Sequence, residues 1–367
     1  MKSYNLGRRF SMATAAVALG ILAGANPAMA QEKLIYATYF SEIYSASKTD
    51  NWFMSEVEKR SGGEMKFEKF WSQSLMKGTD LFPALKSGAA DVANGSPAGY
   101  NASEYPLANI LLPLTSMNAD AVALAWNKLY ANNADFRNEF ESKGAKLIYT
   151  GPWAESSLWS TKPLLKASDY KGIKIRVTKP LSDAYVLLGA TPIALTWPDG
   201  LEGLQRGVVD AMTGPFDSIV LGGAHEVAKY GGDGGALGVY ALAVVGMSMD
   251  RYKRLSPKHR KIIDDVSAEA LQVSLKNNDA SVDKVVKKLC GMKDKVVIGL
   301  TSPEEREKIR KVAVAPLQDR WIELVKKQVH VDGRAMLDQF LGYVHEYEKT
   351  TTYVPGFERY LKTCGKN

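Results

Sequence analysis

One arginine stands where a small anion could be held. In "YKGIKIRVTKP" (170–180), Ile173, Ile175 and Val177 alternate with Lys174 and Arg176, and Pro180 closes the run. That is the period-two pattern of a strand with one buried face. Arg176 falls at the strand's carboxyl end, and open α/β sheets bind ligands outside the carboxyl ends of their strands. A guanidinium offers a rigid fork of donors matched to the two oxygens of a carboxylate. The plain alternative is a solvated strand face. Which one holds depends on whether the surrounding elements bring Arg176 to a cleft.

Little else in the chain could do chemistry. His225, His259, His330 and His345 are scattered and single, with no partner at metal-ligand spacing. "NGSPAG" (94–99) sets a serine between glycines but is not a nucleophile elbow. "YGGDGGALG" (230–238) lacks both the dinucleotide-binding spacing and the phosphate-loop lysine. No catalytic set, metal site or cofactor is therefore expected. Aromatic residues are the other clue. Trp153, Trp159, Trp197, Phe216 and Tyr240 fall in segments that would line one lobe and its crossovers. Core packing is the default for any one of them; several together suggest flat apolar walls.

The start of the chain reads as an export leader. Lys2, Arg8 and Arg9 precede an apolar run from Met12 to Ala25, and Ala28-Met29-Ala30 is a small-x-small cleavage site. Cleavage after Ala30 and a periplasmic location are expected. The sequence carries 47 basic and 40 acidic side chains, a net charge of +7. No lysine/arginine block of the kind that tracks a nucleic-acid backbone is present. The two cysteines, Cys290 and Cys364, would meet an oxidising compartment and are expected to pair.

The elements that would position Arg176 come from an internal echo. "LKSGAADV" (85–92) and "LQRGVVDA" (204–211) share L-x-x-G-x-x-D. Each reads as a helix end, a left-handed glycine cap and a strand. The flanking segments give β-α-β-α-β in both halves, which predicts two parallel-sheet lobes. Ser256 and Pro257 then open a helix with no glycine and no further proline up to Lys288. Unbroken, it would be about 50 Å long. A break at "KNNDAS" (276–281) is the competing reading, because asparagine and aspartate prefer caps. The expected division is a leader at 1–30, a first lobe at 31–153 with 242–280, a second at 154–241 with 281–335, and a helical tail at 336–367.

The stretch "LKASDYKGIKIRVTKPLSDAYVLLGATPIALTWPDGLEGLQRGVVDAMTGP" (165–215) carries a resemblance. With "SQSLMKGTDLFPALKSGAAD" and the long helix, it resembles the DctP-like solute-binding subunit of tripartite ATP-independent periplasmic (TRAP) transporters. The likeness covers nearly all of the chain after the leader. It implies an α/β, two-lobed periplasmic-binding-protein fold with a lobe-spanning helix, and it implies membrane permease subunits as partners. Arg176 matches the family's carboxylate-binding arginine. By the same likeness Trp197 takes a pocket position, Tyr39 ends the first strand, and Ser96 lies at the first lobe's edge. Gly214 stands where many members have an asparagine. Glu155 stands near where several have a second arginine. Trp153 and Phe216 complete the expected ligand-binding set. The reading is a binding protein for a small organic acid, with an apolar or ring-shaped body, and without catalysis. The alternatives are an exported enzyme on the same fold, or a binder of a zwitterion such as ectoine, whose cation aromatic faces could hold.

Overall fold

The computed structural model describes residues 31–365. The expected leader and its cleavage after Ala30 lie outside the described residues. The strands, in chain order, are β1 (Glu32–Thr38), β2 (Met65–Phe70), β3 (Val92–Gly95), β4 (Ala145–Pro152), β5 (Ser156–Ser160), β6 (Lys174–Arg176), β7 (Thr191–Ile193), β8 (Ala211–Pro215), β9 (Tyr230–Gly232), β10 (Leu242–Ser248) and β11 (Val297–Gly299). They form two sheets, ordered β2-β1-β3-β10-β4 and β11-β9-β5-β8-β6-β7.

The echoed motif does the same work in both sheets. Gly88 and Gly207 end their helices at φ +77° and +69°, a region that glycine enters without a Cβ penalty. Three residues on, the aspartate turns back on the neighbouring strand. Asp91 accepts a hydrogen bond from the Ile35 N–H at 2.8 Å, and Asp210 accepts one from the Lys174 N–H at 2.9 Å. Each aspartate thus fixes the register of the strand that leads to the cleft.

The β-α-β-α-β pattern alone predicts parallel sheets, but neither sheet is wholly parallel. β1, β2 and β3 are parallel, and so are β6, β7 and β8. β10 joins the first sheet antiparallel to β3 and β4, and β5 joins the second antiparallel to β8 and β9. These two strands carry the chain back from the opposite lobe, so they enter against the direction of the βαβ units.

The helix Pro257–Cys290 runs unbroken for 34 residues, about 50 Å at 1.5 Å per residue. Ser256 caps it by accepting the His259 N–H at 3.1 Å. "KNNDAS" stays helical, and two of its polar side chains find partners across the interface. Asn277 donates to the Thr49 hydroxyl at 3.0 Å, and Ser281 donates to Asp217 at 2.5 Å. The first half of this helix closes an apolar core with Leu34, Phe53, Val57, Ile263 and Val266. Its second half packs on the helices Phe216–Leu221 and Gly356–Cys364.

The C-terminal segment is not a free tail. The helix Gly333–Glu348 packs on Ala119–Asn132. The helix Gly356–Cys364 returns along the long helix, where Cys364 is joined to Cys290 with 5.5 Å between their Cα atoms.

Candidate functional site

The carboxyl ends of β1, β3, β6 and β8 converge on one cleft. Tyr39 and Phe40 follow β1, Ser96 follows β3, and Tyr100 lies one helical turn on. Arg176, Thr178, Trp197, Pro215 and Ser218 face them from the second sheet. Trp153, Tyr240 and Ala241 come from the two chain crossings.

Among the described residues, Arg176 is the only cation lining the cleft. Its stem lies against the helix Trp197–Gln205, where a Cβ at Gly200 would sit 2.8 Å from its Cγ. Its Nε and one terminal nitrogen donate to the Leu195 carbonyl at 3.1 and 2.9 Å. The same terminal nitrogen donates to the Tyr100 hydroxyl at 3.1 Å, across the cleft. The other terminal nitrogen has only a long contact, 3.5 Å, to the Thr213 carbonyl. The residue is 2 % exposed. All these partners are neutral, and among the described residues Arg176 makes no ion pair. A guanidinium out of water without a counter-charge is costly. A ligand carboxylate would remove that cost.

The rest of the lining supplies neutral donors and apolar faces. Loss of water around their hydroxyls pushes the phenols of Tyr39 and Tyr100 up and Tyr240 to about 12, with Arg176 pulling each part of the way back. At neutral pH all three are O–H groups rather than anions. Phe40 and Trp153 meet edge to face at 4.9 Å. Trp197 donates its Nε1–H to the Tyr44 hydroxyl at 3.0 Å, which ties the two lobes together a second time.

The structure brings together five of the residues expected at the site: Arg176, Trp197, Trp153, Tyr39 and Ser96. Three others lie elsewhere. Glu155 is fully buried and turned toward the C-terminal segment. There it accepts the Tyr353 O–H and the Gly356 N–H, each at 2.6 Å. Burial pushes its carboxyl up to about 7. Phe216 is fully buried against Phe357, with ring centres 4.9 Å apart. Gly214 lies beneath the Trp197 ring. Trp159 is core, edge-on to His225.

Sequence reasoning missed Phe40, Tyr100, Thr178 and Ser218 in the lining. Thr178 was within reach, because strand alternation puts it on the face of Arg176. Tyr100 follows Ser96 by one helical turn. Ser218 and Phe40 left no such signal.

Two sheets that aim their strand ends at a shared cleft, with crossings near 153–155 and 233–241 and a helix along both, define a two-lobed binding protein. The family model described as bacterial extracellular solute-binding protein, family 7, matches residues 37–323. The chain belongs to this family and is a TRAP transporter solute-binding subunit. Relatives include the ectoine-binding periplasmic protein TeaA of Halomonas elongata, 25 % identical over 292 residues, 78 % of this chain and 83 % of TeaA. A solute-binding protein of Albidiferax ferrireducens is 30 % identical over 247 residues, 64 % of this chain and 71 % of that one. Among solved structures, a TRAP solute-binding protein from Rhodoferax ferrireducens in complex with copurified benzoate has the same fold. Its TM-score is 0.76 at 23 % identity, over 87 % of this chain and 99 % of that one. Members of the family are substrate-binding proteins. Among the described residues, no helix is long and apolar enough to cross a membrane.

Proposed function

We propose that the cleft captures a small organic acid in the periplasm and hands it, chemically unchanged, to the TRAP permease subunits in the membrane. One observation carries the reading: the buried Arg176 guanidinium, with neutral partners only, faces a cleft lined by six aromatic rings and by small neutral residues. The carboxylate takes the fork of Arg176, with the Tyr100 hydroxyl beside it. Phe40, Trp153 and Trp197 cover the body of the ligand. Walls of this kind suit a monocarboxylate with a flat apolar body. The bound structure from Rhodoferax ferrireducens holds such an acid, benzoate.

A zwitterion such as ectoine is the second reading. The Phe40 and Trp153 faces favour it, and so does the likeness to TeaA. Among the described residues no carboxylate lines the cleft to meet its cation, so it ranks behind the simple acid.

Mass spectrometry of the ligand released from periplasm-derived protein tests the proposal, together with thermal-shift screening against organic acids and ectoine. A co-purified monocarboxylate that raises the melting temperature and is recovered unchanged is the expected result. Conversion of the ligand to a product would favour an exported enzyme instead.

A further inference from the structure

The wall beside Arg176 is shaped by an unusual contact. A Cβ at Gly214 would lie 2.6 Å from two ring carbons of Trp197, far inside van der Waals contact. Only a bare backbone on β8 lets the indole come down onto the strand. The ring is then held from its other sides. Its Nε1–H is spent on the Tyr44 hydroxyl at 3.0 Å, and the Tyr44 ring stands edge-on with centroids 6.2 Å apart. The Arg176 guanidinium lies 5.5 Å from the ring centroid, within cation–π range. Trp197 is 5 % exposed. Its one polar atom is already used, so it offers the cleft nothing but carbon.

We infer that Trp197, seated on Gly214, sets the specificity of this cleft: it fills the place beside Arg176 that a polar group would need, and so selects acids with one carboxylate and an apolar body over dicarboxylates. The inference rests on the reading of the cleft as an organic-acid site. Among the described residues Arg176 is the only cation in the lining, and one carboxylate occupies it. A second carboxylate would be pressed against the Trp197 indole, without a counter-charge and without a free donor from that ring, and a buried charge of that kind is strongly disfavoured. Specificity is the difference between two affinities and is often built from such refusals.

Trp197 also supports Arg176 and bridges the lobes, but those roles act on every ligand alike. Its filling of the place beside Arg176 and its cover of the ligand's apolar body are what change the ratio between ligands. Calorimetry with benzoate and succinate as probes separates the two. Wild type is expected to bind benzoate about tenfold or more tighter than succinate, the scale on which pocket shape discriminates. Tyr44→Phe removes the cross-lobe hydrogen bond, so it should weaken both probes by a like factor and keep the ratio. Trp197→Ala should cut the ratio by about tenfold or more. Gly214→Ala reaches the same contact from the strand side. It displaces the indole toward the cleft and should move the ratio away from the wild-type value. It serves as the second variant where Trp197→Ala does not melt cooperatively. A folded variant of either kind that keeps the wild-type ratio overturns the inference. So does a wild type that prefers succinate, which leaves the organic-acid reading standing. A wild type that binds no carboxylate at all overturns that reading and the inference together.

Discussion

Replacing Glu155 by glutamine should stabilise the protein at pH 8 by about 3 kcal/mol and change little at pH 5. Glu155 is fully buried on the crossing between β4 and β5. Burial is the largest influence on its carboxyl and pushes it up to about 7 from the ordinary 4.5. The hydrogen bonds from Tyr353 and Gly356 act the other way, and the nearby Asp217 adds to the upward push. The folded protein therefore holds a proton that the unfolded chain releases. That contribution is fully present below about 4.5 and is lost as pH rises through about 7. A gap of this size corresponds to about 3 kcal/mol at 1.36 kcal/mol per pH unit. Glutamine has the shape of the protonated acid at every pH. Its oxygen can accept the Gly356 N–H, and its amide can donate to the Tyr353 hydroxyl oxygen. Asp50 and Glu139 are also pushed up by burial, to about 6 and about 7, but they are present in both proteins and cancel in the difference. Urea unfolding at pH 5 and pH 8, with matched slopes, measures it. Glu155→Gln less stable than wild type at pH 8 would mean that the two hydrogen bonds to the charged form outweigh its desolvation, and the argument would fail.

Two other outcomes follow. Cys290→Ser paired with Cys364→Ser should lower stability by about 4 kcal/mol, the loop-closure scale for a separation of 74 residues; chemical unfolding equal to wild type would assign the tail's docking to packing alone. Saturation with ligand should reduce the radius of gyration in small-angle scattering, because a ligand on Arg176 joins the Arg176–Tyr100 and Trp197–Tyr44 bridges in holding the lobes together. An unchanged radius would show that these bridges close the cleft without ligand.

Much of this architecture could be read from residue order, because its signals are local. Gly88 and Gly207 need a left-handed backbone, the following aspartates need a strand N–H, and Ser256-Pro257 needs a helix start. These requirements are satisfied within or next to the segments that carry them. Arg176 was legible for the same reason, since alternation and the carboxyl-end rule both act on a single strand. The rest of the site depends on long-range packing. Glu155 faces Tyr353 and Gly356, 198 and 201 positions away, and nothing in the neighbourhood of Glu155 announces them. Gly214 and Trp197 are read correctly only as a pair, because the glycine's role is the space it leaves. A break at "KNNDAS" competes with the unbroken helix only while its polar residues are set against water; Asn277 and Ser281 are satisfied instead by Thr49 and Asp217.

The central claim is that one buried guanidinium carries the recognition of one carboxylate. Calorimetry of the co-purified acid against Arg176→Ala, with a cooperative melt as the check on folding, tests it most directly. Removing one member of a buried, hydrogen-bonded charge pair costs about 2–5 kcal/mol. At 1.4 kcal/mol per tenfold, affinity should fall between about thirtyfold and a few thousandfold. Arg176→Lys should recover only part of the loss, since an ammonium keeps the charge without the fork. Wild-type affinity in a folded Arg176→Ala protein would remove the arginine from the site and contradict the account.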